Sequence, residues 1–140
     1  MNANYLRKAK ECKLSGDLIS RQKYFNASIH SYYYSIVHNM NYILREKIGM
    51  TEQEILLNSN IFRQKTGKSL HVFTINTVKK SLKLKLNDKD FCSFNVGISR
   101  LKFLRNKSDY QNQMIKPREH RNVKFHFGNI FSCLQKAFAI

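Results

Sequence analysis

At 140 residues, 42% hydrophobic and 12% aromatic, the chain is long enough to bury a core of its own and too apolar to stay disordered. One proline and five glycines argue against many short strands and favour long helices. Against 9 Asp and Glu stand 25 Lys and Arg, a formal charge of +16 that selects polyanions: nucleic acid first, an acidic protein second, an anionic membrane third.

No h-region follows Met1 and no apolar run approaches about eighteen residues, so neither a signal peptide nor a membrane span is expected. Cys12, Cys92 and Cys133 are odd in number and far apart. They form no zinc spacing and no disulfide framework, which points to a reducing cytoplasm and to cysteines that serve as small packing residues.

In chain order, residues 2–14 predict a short basic helix, with Ser15-Gly16-Asp17 as a stop and a new cap. From about Ile19 to Ile48 runs the longest periodic segment, in which Phe25, Ile29, Tyr32, Tyr33, Ile36, Val37, Met40, Ile43 and Leu44 share one broad arc. Ser28, Ser35 and Asn39 fall on the opposite side. An arc this wide implies burial against two or more neighbours, and Gly49 ends it. His30 and His38 on its flank read as boundary histidines, because no carboxylate or second ligand stands at a matching spacing.

Thr51-Glu52-Gln53-Glu54 begins another helix, and Arg63 to Ser69 reads as a basic loop. Within it Thr66-Gly67-Lys68-Ser69 looks like a phosphate loop, but Phe62 occupies the place of the required first glycine and no hydrophobic strand precedes it. His71 to Leu86 is helical, with Lys79, Lys80 and Lys83 in a strongly basic half that is either a solvated face or a nucleic-acid contact. Asp88 or Asp90 then caps the helix that leads to Tyr110, Gln111 to Arg118 is a loop, and 122–140 is a last helix. Val123-Phe125-Phe127 also alternates as a short strand would. The expected fold is all-α: a single antiparallel bundle of four main helices plus a short N-terminal one.

The helix that approaches Tyr110 carries the oddest position. Phe94, Ile98, Leu101 and Arg105 lie on one stripe, and an arginine on a buried stripe requires an anion to meet it. Asp109, one turn on, is the local candidate, and a phosphate is the other.

Two segments matter together with it. Tyr24-Phe25-Asn26-Ala27-Ser28-Ile29-His30-Ser31-Tyr32-Tyr33-Tyr34 resembles an early-helix pattern of HEPN-domain proteins, and Leu104-Arg105-Asn106-Lys107-Ser108-Asp109-Tyr110 resembles their later signature. Between them, Gly67-Lys68-Ser69-Leu70-His71 is similar to the glycine and histidine that open their intervening helix. The resemblance spans roughly Ile19 to Tyr110. It implies a HEPN-like helical bundle, a homodimer, and a place in toxin–antitoxin, phage-defence or RNA-processing systems. A cognate antitoxin or a nucleotidyltransferase is the implied partner, and RNA the implied substrate.

Active members are metal-independent endoribonucleases and need no cofactor. Their signature is an arginine, a polar residue, and a histidine a few positions on. A guanidinium suits the charge that builds on phosphoryl oxygens during attack by a ribose 2′-OH, and a near-neutral histidine can move the proton. The resemblance assigns Arg105 and Asn106 to the first two positions and puts Tyr110 where the histidine would stand. A phenol donates a hydrogen bond or holds a phosphate, but with a pKa of about 10 it is a poor base at neutral pH. Arg121-Asn122-Val123-Lys124-Phe125-His126 matches the arginine, asparagine and histidine pattern literally, so Arg121 and His126, with His120 nearby, form a second candidate set. Lys79, Lys80, Lys83, Lys102 and Lys107 are the candidate strand-holding residues. Two other readings use the same residues: a catalytically inactive binding or dimerisation module with Arg105–Asp109 as a structural pair, and an unrelated basic bundle that binds nucleic acid through its lysines.

Overall fold

The computed structural model describes residues 2–111 and 113–140. Six helices follow one another: α1 (Ala3–Arg21), α2 (Phe25–Glu46), α3 (Glu52–Thr66), α4 (Leu70–Lys85), α5 (Asp88–Tyr110) and α6 (Pro117–Phe138). The described residues contain no strand, so the alternation at Val123–Phe127 lies within α6. None of these helices is long and apolar enough to cross a membrane.

The central element is α2, which meets α1, α4, α5 and α6. Its broad arc is buried, as Ile29, Ile36, Met40 and Ile43 show at 0% exposure. Its other side is covered too: Ser35 and Asn39 are buried where α1 lies along that face, and Ser28 is buried beside His120 of α6. The Ser35 hydroxyl donates to the Ala9 carbonyl at 2.7 Å, and the Tyr32 hydroxyl donates to Asp17 across the same seam.

That seam overturns the predicted stop at Ser15-Gly16-Asp17. Gly16 lies inside α1, where a Cβ would stand 3.0 Å from the Tyr32 ring. The glycine is there for close approach of two helices and does not end one. The break falls instead at Gln22–Tyr24, within the stretch read as one long helix, where Lys23 takes the left-handed φ of 63°. Six helices stand where four main ones and a short one were expected, and the first is 19 residues long.

Three other boundaries move, and one is the start of α6, which falls at Pro117 inside the stretch read as a loop. The stretch Arg63–Thr66 is the last turn of α3, and Gly67 at φ 70° caps it. The cap of α5 is Asn87, whose Oδ1 accepts from the Asp90 amide at 2.8 Å, and neither Asp88 nor Asp90 has that role.

Antiparallel α5 and α6 approach as closely as α1 and α2. A Cβ on Gly97 would lie 3.0 Å from Ile130 Cγ1. At the other end the Lys107 ammonium contacts both Glu119 oxygens, at 3.0 and 2.9 Å, in the first turn of α6. Phe94, Leu101, Leu104, Ile130 and Leu134 fill the core between this pair and α2. Leu44, Ile55 and Phe73 form a smaller cluster that holds α3.

Candidate anion-binding site

The stripe Phe94, Ile98, Leu101 is buried as its spacing requires, and Arg105 continues it toward α2 with a side chain 15% exposed. Three aromatic rings surround the guanidinium. Its Cζ lies 5.1 Å from the Tyr33 ring centre, 5.7 Å from Tyr34 and 5.0 Å from Tyr110. Nη2 donates to the Tyr34 hydroxyl at 3.1 Å. Asp109 Oδ2 lies 3.1 Å from Nε, close enough for attraction, but Nε makes no hydrogen bond among the described residues. Burial opposes the arginine's charge, and the oxygens of Tyr34, Tyr110, Tyr33 and Asp109 more than offset it, so its pKa stays above the ordinary value.

Asp109 also meets His30, whose Nδ1 lies 2.9 Å from the same oxygen. The carboxylate absent from the local spacing of His30 is thus supplied by another helix. The His30 and Tyr34 rings face each other at 4.6 Å.

On the other side of the guanidinium, Nη1 reaches Asn106 Oδ1 at 3.4 Å. There a cavity of about 90 Å³ opens, lined by Tyr33, Ser69, His71, Val72, Lys102, Arg105 and Asn106. It has room for a few waters or one tetrahedral oxyanion. Among the described residues no carboxylate lines it. The start of α4 borders it, and Ser69 at the N-cap makes no side-chain capping bond.

His71 is the residue that motif reading did not assign to this site. It stands in the first turn of α4, its ring edge-on to Tyr34 at 5.3 Å. Burial, then the positive charge of Arg105, push its pKa below the ordinary histidine value. It is therefore a neutral imidazole at pH 7 and can accept a proton. The glycine and histidine of the 67–71 segment were the available signal, but nothing local showed that this ring would meet Arg105.

The other predicted residues are dispersed. Tyr110 is 72% exposed and covers the guanidinium without lining the cavity. Arg121 is exposed on α6. His126 is half-buried and edge-on to Phe125 at 5.6 Å. Its carbonyl faces Gly97, which lies about 12 Å along α5 from Arg105. His120 is buried between Ser20 and Ser28, 3.2 and 2.8 Å from their hydroxyls, and stacks on Phe25. Among the described residues no side chain of the Arg121–His126 segment lines the Arg105 cavity.

Among the lysines, Lys102 lines the Arg105 cavity, and Lys79, Lys80 and Lys83 line an open cavity of about 500 Å³ between α3, α4 and α5. Lys107 is engaged by Glu119, with 15% of its side chain exposed, and serves the α5–α6 junction. Among the described residues no three His, Cys, Asp or Glu side chains are grouped to hold a metal ion.

No protein-family model, curated protein or solved structure matches the chain.

Proposed function

We propose that this chain is a HEPN-type RNA-binding protein that cleaves RNA without a metal ion, as part of a toxin–antitoxin or phage-defence system. The observation that supports the reading is the shared cavity: a partly buried guanidinium, an amide, an ammonium and a neutral imidazole line one small space with no carboxylate. In this scheme Arg105, Asn106 and Lys102 hold the scissile phosphate. His71 takes the 2′-OH proton as that oxygen attacks phosphorus and the bond to the 5′-oxygen breaks. The leaving oxygen takes a proton from water or a second imidazole, and the products are a 2′,3′-cyclic phosphate and a 5′-OH. A homodimer belongs to the same proposal, with Tyr110 at the exposed edge of each site.

The test is incubation of labelled RNA with purified protein in a chelator. Wild type should cleave, while Arg105→Ala and His71→Ala should each lose at least about 100-fold. His71→Ala should still bind the strand. RNA left intact by wild type from pH 5 to 9 would sink the enzymatic reading.

A second reading, an inactive dimerisation or partner-binding module, is favoured by one observation: Asp109 and three tyrosines already surround Arg105. It requires that Arg105→Ala change melting temperature or oligomeric state with no activity to lose.

A further inference from the structure

Helices α4 and α5 run antiparallel, and two cavities open between them. At one end His71 and Val72 of α4 face Lys102 and Arg105 of α5 across the small cavity. At the other, Lys79, Lys80 and Lys83 of α4 face Phe91 and Asn95 of α5, with Phe62 of α3 beside them. From His71 to Lys83 the two cavities together span about 18 Å of α4, the length of a few nucleotides.

Their charge is one-sided. Among the described residues no carboxylate lines either cavity. Burial, then the charges of Lys68 and Lys79, push the Lys102 ammonium below its ordinary pKa. Among the described residues no ion pair involves Lys68, Lys79, Lys80, Lys83 or Lys102. Of the nine acids, several are paired with other cations: Asp17 with Lys13, Glu52 with Arg45, Asp90 with Lys136 and Glu119 with Lys107. Crowded like charges raise the energy of the empty protein, and a polyanion relieves that.

The wide end adds what charge alone does not. Phe62 and Phe91 are half-buried and present ring surface to the cavity. Asn95 lines the same cavity, and its Oδ1 is buried with no hydrogen-bond partner among the described residues. Rings and amides flanked by lysines suit unpaired bases, which can stack and hydrogen-bond. A duplex or an acidic peptide uses only the lysines.

We infer that the α4–α5 cleft is a track for single-stranded RNA, with the backbone along Lys79, Lys80, Lys83 and Lys102, a base against Phe91, and one phosphate delivered to Arg105. The inference rests on the reading of the partner as RNA and goes further in naming its form and path.

The experiment is fluorescence anisotropy with a labelled 2′-O-methyl octauridylate, which lacks the nucleophile and so survives, against a blunt RNA duplex and polyglutamate. Lys80→Glu/Lys83→Glu changes two exposed residues and keeps the fold, as circular dichroism would verify. It should weaken single-strand binding at least about tenfold and reduce the log–log salt slope by about 1.4. Phe91→Leu keeps apolar volume for the core and should weaken the single strand about five- to thirtyfold while sparing the duplex.

If wild type binds no RNA, the functional reading and the track fail together. If the single strand binds and Arg105→Ala weakens it but neither cleft variant does, the track alone is wrong. Equal affinity for duplex and single strand, with Phe91→Leu indifferent, would also overturn it. Tighter binding of polyglutamate, sensitive to the lysine variant, would assign the cleft to an acidic protein instead.

Discussion

At the scale of the residue, Arg105 illustrates how a charge is kept on a buried stripe. A guanidinium is planar and weakly hydrated, so ring faces can replace part of its water while Asp109 balances its charge. Each contact is modest, and they act together. Arg105→Ala should cost about 1–2 kcal/mol, from lost cation–ring contacts and from leaving Asp109 with His30 alone. Arg105→Lys should recover the charge but little of the stability, because a point ammonium cannot face three rings. Urea unfolding of the three proteins measures this, and equal midpoints for wild type and Arg105→Ala would refute it. Asp109 was legible as partner because it is one helical turn away. His71 was not, because it comes to the site from a different helix.

At the scale of the element, glycines set where helices meet. Gly97→Val would push a side chain against Ile130 and the His126 carbonyl in the α5–α6 seam. With backbone on one side and a buried side chain on the other, little can yield, so a loss of about 1–3 kcal/mol is expected. Thermal melting checks it, and an unchanged midpoint would show a looser seam. Glu119→Gln should weaken the start of α6, because Glu119 holds Lys107 and accepts from the Lys116 amide at 3.1 Å. About 1 kcal/mol is the expected cost. A full-strength α6 in hydrogen exchange would contradict that role. In sequence, Gly16 resembled a helix stop because glycine both ends helices and lets them touch. Only the Tyr32 ring opposite distinguishes the two.

At the scale of the whole molecule, four histidines are shifted in the same direction. Burial is the first cause of a lowered pKa at His38, His71, His120 and His126, with a neighbouring cation second at each. Below about pH 6.5 the unfolded chain therefore binds more protons than the folded one. Stability should be full above that pH and fall as the solution is acidified through the lower folded values. Carboxylates add a later loss, since the Asp90 and Glu119 pKa values are lowered mainly by Lys136 and Lys107. The melting temperature should drop between pH 7.5 and 5.5, before the carboxylate range is reached. A flat profile there would exclude buried neutral histidines.

By itself the sequence determined the all-helical class, the buried arc of α2, the stripe that ends in Arg105 and its Asp109 partner. These depend on periodicities of a few residues, which hydrophobic burial and helix geometry translate directly into structure. The tertiary structure alone decided that α1 covers the second face of α2, that His71 and not Tyr110 lines the Arg105 cavity, and that Lys107 belongs to Glu119. It also set the lysines of α4 opposite α5. Each of these is a contact between helices distant in the chain, and packing, not local pattern, selects which side chains meet.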